Sequence, residues 1–189
     1  FVVALGAHLF VATENLTRIQ VLGLSMAFAG IIIAFNESLN LPTRDMLIGD
    51  SMLLGAAAAW GSVTVLIKAS PLSGISPERT LLYQLAVSAP ILVATSWMLG
   101  EGGIRELTPV ICASLSYQVI WVAFITYLTW FWLIRKYPVS RIAPFTFLTP
   151  LFGVMSGAII LDEPLTVFLI CALILVGAGI FLVNRKPRN

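Results

Sequence analysis

ATENLTRIQVLGLSMAFAGI (residues 12–31) and LDEPLTVFLICALILVGAGI (residues 161–180) follow one pattern: a polar turn carrying E-x-L-T, then an apolar helix. At a constant offset of 149 residues, seven positions are identical: Glu14/Glu163, Leu16/Leu165, Thr17/Thr166, Leu24/Leu173, Ala29/Ala178, Gly30/Gly179 and Ile31/Ile180. Apolar helices look alike by chance. A shared polar turn, matched on both flanks, is more specific.

What separates the two copies sets their sense. A membrane span needs roughly 17–25 mostly apolar residues. Six stretches qualify: Arg18–Phe35, Asp50–Lys68, Arg79–Leu99, Pro109–Ile134, Arg141–Leu161 and Leu165–Val183. Five of them lie between the turns, and an odd number puts the copies on opposite faces of the bilayer. An inverted repeat of this kind is common in secondary transporters. A further apolar stretch, Phe1–Ala12, is too short to cross and has neither an initiator Met nor a basic leader. It reads as a helix without its beginning. The chain is then expected to be a C-terminal fragment, with three helices of the first repeat lying before Phe1.

The composition agrees. The 189 residues are 59% hydrophobic and 11% charged, with a mean hydropathy of +0.97. Soluble domains carry about 25% charged residues. A soluble enzyme, a disordered tail and a nucleic-acid binder are excluded as leading readings, and a net charge of +2 offers no basic patch for a phosphate backbone. Nine basic residues fall on one side of the predicted spans: Arg18, Lys68, Arg79, Arg135, Lys136, Arg141, Arg185, Lys186 and Arg188. Only Arg44 and Arg105 fall on the other. The basic side is expected to be cytoplasmic, with the C-terminal tail there. Among the acids only Glu14 and Glu78 share that side, and Glu37, Asp45, Asp50, Glu101, Glu106, Asp162 and Glu163 lie opposite. Glu14 and Glu163 fall on opposite faces and cannot touch; they read as acids at helix starts, with gating a distant second reading.

Polar groups inside the spans are few, which makes them informative. Pro150 sits near the centre of its helix and frees the carbonyl of Thr146. Thr146 and Thr149 flank the break with hydroxyls, so this helix either exposes acceptors to a solute or is a packing kink healed by the threonines. Pro90 has the same geometry without hydroxyls and reads as structural. Ser114, Tyr117, Gln118 and Trp121 share one face at α-helical spacing. Thr126 lies deep, Tyr127 pairs with Trp130, Trp60 shares a face with Thr64, and Tyr83-Gln84 lie early in their helix. His8, the one histidine, is a candidate proton-coupling group. Its nearness to the basic side favours a plain contact with water or backbone. Gly153 with Gly157, Gly55–Ala59 and Gly177/Gly179 read as flat packing surfaces. Cys112 and Cys171 read as free thiols.

Several longer motifs resemble the EamA-type members of the drug/metabolite transporter superfamily. They are GDSMLLGAAAAWGSVTVLIK (49–68), TYLTWFWLIRKYPVSR (126–141), FLTPLFGVMSG (147–157), LDEPLT (161–166) and GAGIFLVNR (177–185). The chain departs from that pattern at Val122-Ala123, where a Gly step is usual, and at Asp162, where Gly is usual. The resemblance implies an all-α polytopic transmembrane bundle, part of a ten-helix inverted 5+5 repeat. Residues 1–35 are then the last two helices of the first repeat, 36–49 a connecting loop, 50–183 the second repeat and 184–189 a basic cytoplasmic tail. It implies a substrate cavity lined from Trp60, Thr64, Tyr83, Gln84, Gln118, Trp121, Thr126, Tyr127, Trp130, Thr146, Thr149 and Pro150. The expected activity is export or exchange of small metabolites, amino-acid-like or otherwise amphipathic, by alternating access in a bacterial inner membrane. Its partners are the solute, the bilayer and a second copy in a homodimer, with no nucleic acid, no cofactor and no metal. A lipid or lipid-carrier flippase of related fold is the alternative. An intramembrane enzyme ranks below both, because no nucleophile or metal motif is present.

Overall fold

The computed structural model describes residues 1–35, 44–103, 106–160 and 166–185. The expectations placed on Glu37, Arg105, Asp162, Glu163, Lys186, Arg188 and the 36–43 part of the loop lie outside these residues. All regular structure among the described residues is helical: α1 (Val2–Phe10), α2 (Arg18–Ala34), α3 (Arg44–Ala69), α4 (Pro77–Met98), α5 (Pro109–Ser116), α6 (Tyr127–Lys136), α7 (Val139–Ile142), α8 (Leu148–Ile160) and α9 (Val167–Asn184). A π segment (Tyr117–Thr126) joins α5 to α6, and a 3-10 turn (Ala143–Phe147) joins α7 to α8. Among the described residues, five helical stretches are long and apolar enough to cross a membrane: Met46–Ala69, Pro77–Met98, Pro109–Lys136, Val139–Ile160 and Val167–Asn184. The sixth expected span, Arg18–Ala34, is an apolar helix of 17 residues. A helix satisfies its own backbone donors and acceptors, which is what a hydrocarbon solvent demands.

Contacts divide the chain into two units. The first joins Phe1–Ala69 to Tyr137–Asn189. Its centre is the pair α2 and α9, which approach so closely that a Cβ on Gly23 would lie 2.6 Å from the carbonyl oxygen of Gly179. One on Gly30 would lie 3.0 Å from that of Ala172. Low numbers in α2 meet high numbers in α9, so the two helices run antiparallel. The contacts also exchange under the 149-residue offset. Gly23 with Gly179 becomes Ala172 with Gly30, and Ala27 with Gly179 becomes Val176 with Gly30. Ala27, Leu151, Leu169, Ala172, Val176 and Ile180 form the core around this seam. In the same unit α1 runs parallel to α3, with Gly6 against Val65 and Gly61 against Val2.

The second unit is Ser70–Lys136. Here α4 packs on α6 around Leu81, Phe131 and Ile134, which are nearly inaccessible. Many of the other apolar side chains point outward, Trp97 at 84% exposure and Val110 at 74%. Water would not tolerate such a surface, and lipid does.

Caps follow the sequence in part. Thr17 and Thr166, the threonines of the two turns, cap α2 and α9 by accepting from Gln20 N and Leu169 N, each at 3.3 Å. At Thr17 the Gln20 side chain reaches back to the Thr17 amide at 2.9 Å and completes a capping box. Thr17→Ala is expected to lower the unfolding free energy by about 1 kcal/mol, read as an earlier thermal transition of the detergent-solubilised protein. Thr108 caps α5 by accepting from Ile111 N, whereas Ser76 makes no side-chain cap to α4. Glu14 does cap a helix start, but not the one that follows it. Its carboxylate accepts from the amides of Val139 and Ser140, 125 and 126 residues away.

The small-residue expectations divide. A Cβ at Gly55, Gly153 or Gly177 would meet nothing within 4 Å, whereas Gly179 is pressed against α2. Gly6, Gly61, Gly23 and Gly30 are the other close-packed glycines among the described residues. The motif marks small residues but not which face meets a neighbour.

Candidate functional site

The helix carrying Pro150 is broken where the sequence places the freed carbonyl. Pro150 has no amide hydrogen for the Thr146 carbonyl, and Pro144 has none for the turn before. The backbone tightens into the 3-10 turn Ala143–Phe147 ahead of α8. The Thr146 hydroxyl donates to the Ala143 carbonyl oxygen at 2.7 Å, so one acceptor of the turn is satisfied by a side chain. Pro90, by contrast, lies within an unbroken α4.

Beside this turn the first unit encloses a cavity of about 340 Å³. Its walls come from α1, α2, α3 and the 3-10 turn. The aromatic lining is Phe1, Phe28, Trp60 and Phe147. Phe1 stands edge-on to Phe28 at 5.4 Å and to Phe147 at 6.3 Å between ring centroids. Ala57, Ala58 and Gly61 keep the α3 wall flat, and among the described residues no ionisable side chain lines the space. Such a site holds an apolar body against the rings. The 3-10 turn adds Ala143, Pro144 and Thr146 to the wall. Its Ala143 carbonyl accepts from the Thr146 hydroxyl, and its Phe145 and Thr146 carbonyls from the Leu148 amide.

The structure brings together two of the sequence-derived candidates, Trp60 and Thr146, both lining this cavity. Thr64 is buried, at 2% exposure, and its hydroxyl donates to the Trp60 carbonyl oxygen at 3.1 Å. Thr149 is exposed and Pro150 half-buried, on the first turn of α8. The other candidates belong to the second unit. Tyr83 and Gln84 are exposed on α4. Gln118, Trp121 and Thr126 are exposed on the π segment, and Tyr127 and Trp130 half-buried on α6. His8 is exposed and accepts from the Leu16 amide through Nδ1 at 3.3 Å, the plain backbone contact that its position favours. Cys112 and Cys171 are free thiols.

Two features escape the sequence reading. The one-face assignment of Ser114, Tyr117, Gln118 and Trp121 assumes 3.6 residues per turn, but Tyr117–Thr126 is wound as a π-helix. Its wider turn is marked by the Thr126 hydroxyl donating to the Trp121 carbonyl oxygen, five residues back, at 3.0 Å. Side chains beyond Tyr117 are thereby re-aimed, and π segments are concentrated at functional sites. The aromatic wall is the second. Phe1, Phe28 and Phe147 carry no pattern that separates them from lipid-facing phenylalanines.

Comparison with known proteins places this geometry in context. Residues 47–185 match the model of a family described as the EamA-like transporter family. An uncharacterized transporter of Bacillus subtilis, YvbV, is 30% identical over 93% of this chain and 56% of its own length. Two proteins named as probable amino-acid metabolite efflux pumps are similar as well. That of Salmonella typhimurium is 28% identical and that of Escherichia coli 27%, each over 96% of this chain and 62% of its own. The chain thus spans between 56% and 62% of the length of these relatives. No solved structure matches.

Proposed function

Because the chain belongs to the EamA-like transporter family, we propose that the complete protein is a secondary transporter exporting or exchanging small amphipathic, amino-acid-like solutes by alternating access. The multi-pass membrane setting follows from the apolar helices and the transporter relatives. The observation that carries the solute class is the cavity at the broken helix. Its rings receive an apolar side chain, and Thr146 on the adjoining turn is the polar residue that meets the head group. An acidic or basic side chain on the solute would meet no counter-charge there. The names of the Salmonella and Escherichia relatives point to the same class.

The exchange symmetry of the α2–α9 contacts supports two halves threaded in opposite senses, and with it the ten-helix inverted repeat. The bonds from Glu14 to Val139 and Ser140 support the sidedness, since charge counting assigns all three to the basic side. That side is the cytoplasm in this reading, with the C-terminus there and the protein in the inner membrane.

The test is solute counterflow with the complete protein in proteoliposomes, over a panel of neutral, acidic and basic amino acids. Flux of neutral, apolar members is expected, with little of the acidic ones. Absence of flux across the panel, together with scrambling of labelled lipid, would replace this reading by the flippase.

A further inference from the structure

The turn Tyr137–Arg141, where the chain enters α7, is gripped from three other elements of the first unit. Glu14, from the α1–α2 turn and only 5% exposed, accepts from Val139 N at 2.9 Å and from Ser140 N at 2.8 Å. Lys68, near the end of α3, donates its Nζ to the Tyr137 carbonyl oxygen at 2.9 Å. Asn184, the last residue of α9, donates Nδ2 to the Arg141 carbonyl oxygen at 3.3 Å. Val139 and Ser140 are themselves buried. A helix start needs none of this: a local Ser, Thr or Asp side chain caps it, as Thr17 does for α2. A cap supplied from another helix pair breaks when the two elements part.

The same helical rod, one residue further on, becomes the 3-10 turn that walls the aromatic cavity. Movement of the grip therefore moves the wall. The two seams of this unit also differ in kind. The α2–α9 seam is backbone against backbone, and opening it exposes apolar surface for no return. Three of the four hydrogen bonds of the grip, those of Glu14 and Lys68, are charge-assisted, strong when dry and replaceable by water when wet. That is the chemistry of a contact able to open and close.

We infer that the Tyr137–Arg141 turn is the latch of the basic-side gate, held shut by Glu14 and Lys68. This rests on the alternating-access reading above. In the latched state the cavity is closed to the basic side, and release of the turn admits solute from it. Glu14 and Lys68 act by position and do not contact the solute.

The experiment uses the complete protein in membrane vesicles of both orientations, with Cys112→Ala and Cys171→Ala, and Ala58→Cys as a probe on the cavity wall. Labelling by a membrane-impermeant maleimide is measured from each side. Glu14→Gln keeps size but leaves an amide facing two N–H donors. It is expected to raise the basic-side to opposite-side labelling ratio about tenfold, the loss of one charge-assisted hydrogen bond. Lys68→Met shifts the ratio the same way. Should Glu14→Gln fail to accumulate, Val139→Pro keeps the carboxylate and removes one of its donors at a position where helices accept proline. An unchanged ratio, or an equal rise from both sides, overturns the latch, since a merely loosened fold does not choose a side. Solute flux measured in parallel separates the two claims. A wild type without flux counts against the transport reading, whereas an unchanged ratio in a transporting wild type counts against the latch alone.

Discussion

Gly179→Ala is expected to be among the most damaging single-methyl additions in this protein. The new Cβ would sit 2.8 Å from the Ala27 amide nitrogen and 3.0 Å from the Ala27 Cβ, and it would press on the Gly23 carbonyl. These neighbours are backbone and a one-carbon side chain, so no rotamer relieves them. The helices must separate, which loosens Ala27, Ala172 and Val176 in the core. Overpacking costs typically 1–3 kcal/mol, and with rigid neighbours about 3 kcal/mol is expected. Gly177→Ala is the control, because its Cβ meets nothing within 4 Å. Helix propensity alone then acts, favouring alanine by up to about 1 kcal/mol. The thermal transition of the purified protein should fall sharply for the first variant and hold or rise for the second. Gly23→Ala meets the same wall from the other side, so the double variant should cost less than the sum of the two. Equal stability of Gly179→Ala and Gly177→Ala would mean that α2 and α9 do not meet at this seam.

Trp60→Ala carries the largest expected effect on transport. Trp60 lies on α3, is 42% exposed and faces the cavity rather than the core. Truncation removes a wall of the site while sparing the layers that hold the fold. One lost aromatic contact is worth about 1 kcal/mol or a little more, and tenfold in affinity is about 1.4 kcal/mol. Export by the complete protein should fall about tenfold while its level in the membrane is kept. Trp60→Phe, which restores a ring, should recover most of the rate. Loss of protein and loss of export in equal measure would make Trp60 a packing residue.

The helices were legible because lipid solvation is a per-residue property. Runs of apolar residues long enough to cross a bilayer marked the spans. Pro150 fixed the break at Thr146, since a missing amide hydrogen is a covalent fact. The 149-residue offset relates positions that exchange places in the α2–α9 contacts, Gly23 and Gly179 with Ala172 and Gly30.

Pairing between faces was a different matter. Gly153, Gly177 and Gly179 read alike in sequence, and only the approach of α2 made the last indispensable. Glu14 read as an acid at a helix start, yet its partners lie more than a hundred residues on, and no local signal names them. The π winding of Tyr117–Thr126 broke a periodicity that assumed one residue spacing throughout. The amino-acid sequence alone therefore located the apolar helices and the break before Pro150, because hydropathy and prolines act locally. Which helices touch, which glycines are pressed and what the aromatic rings enclose depended on the tertiary structure, because contact energies belong to pairs of faces and not to either face alone.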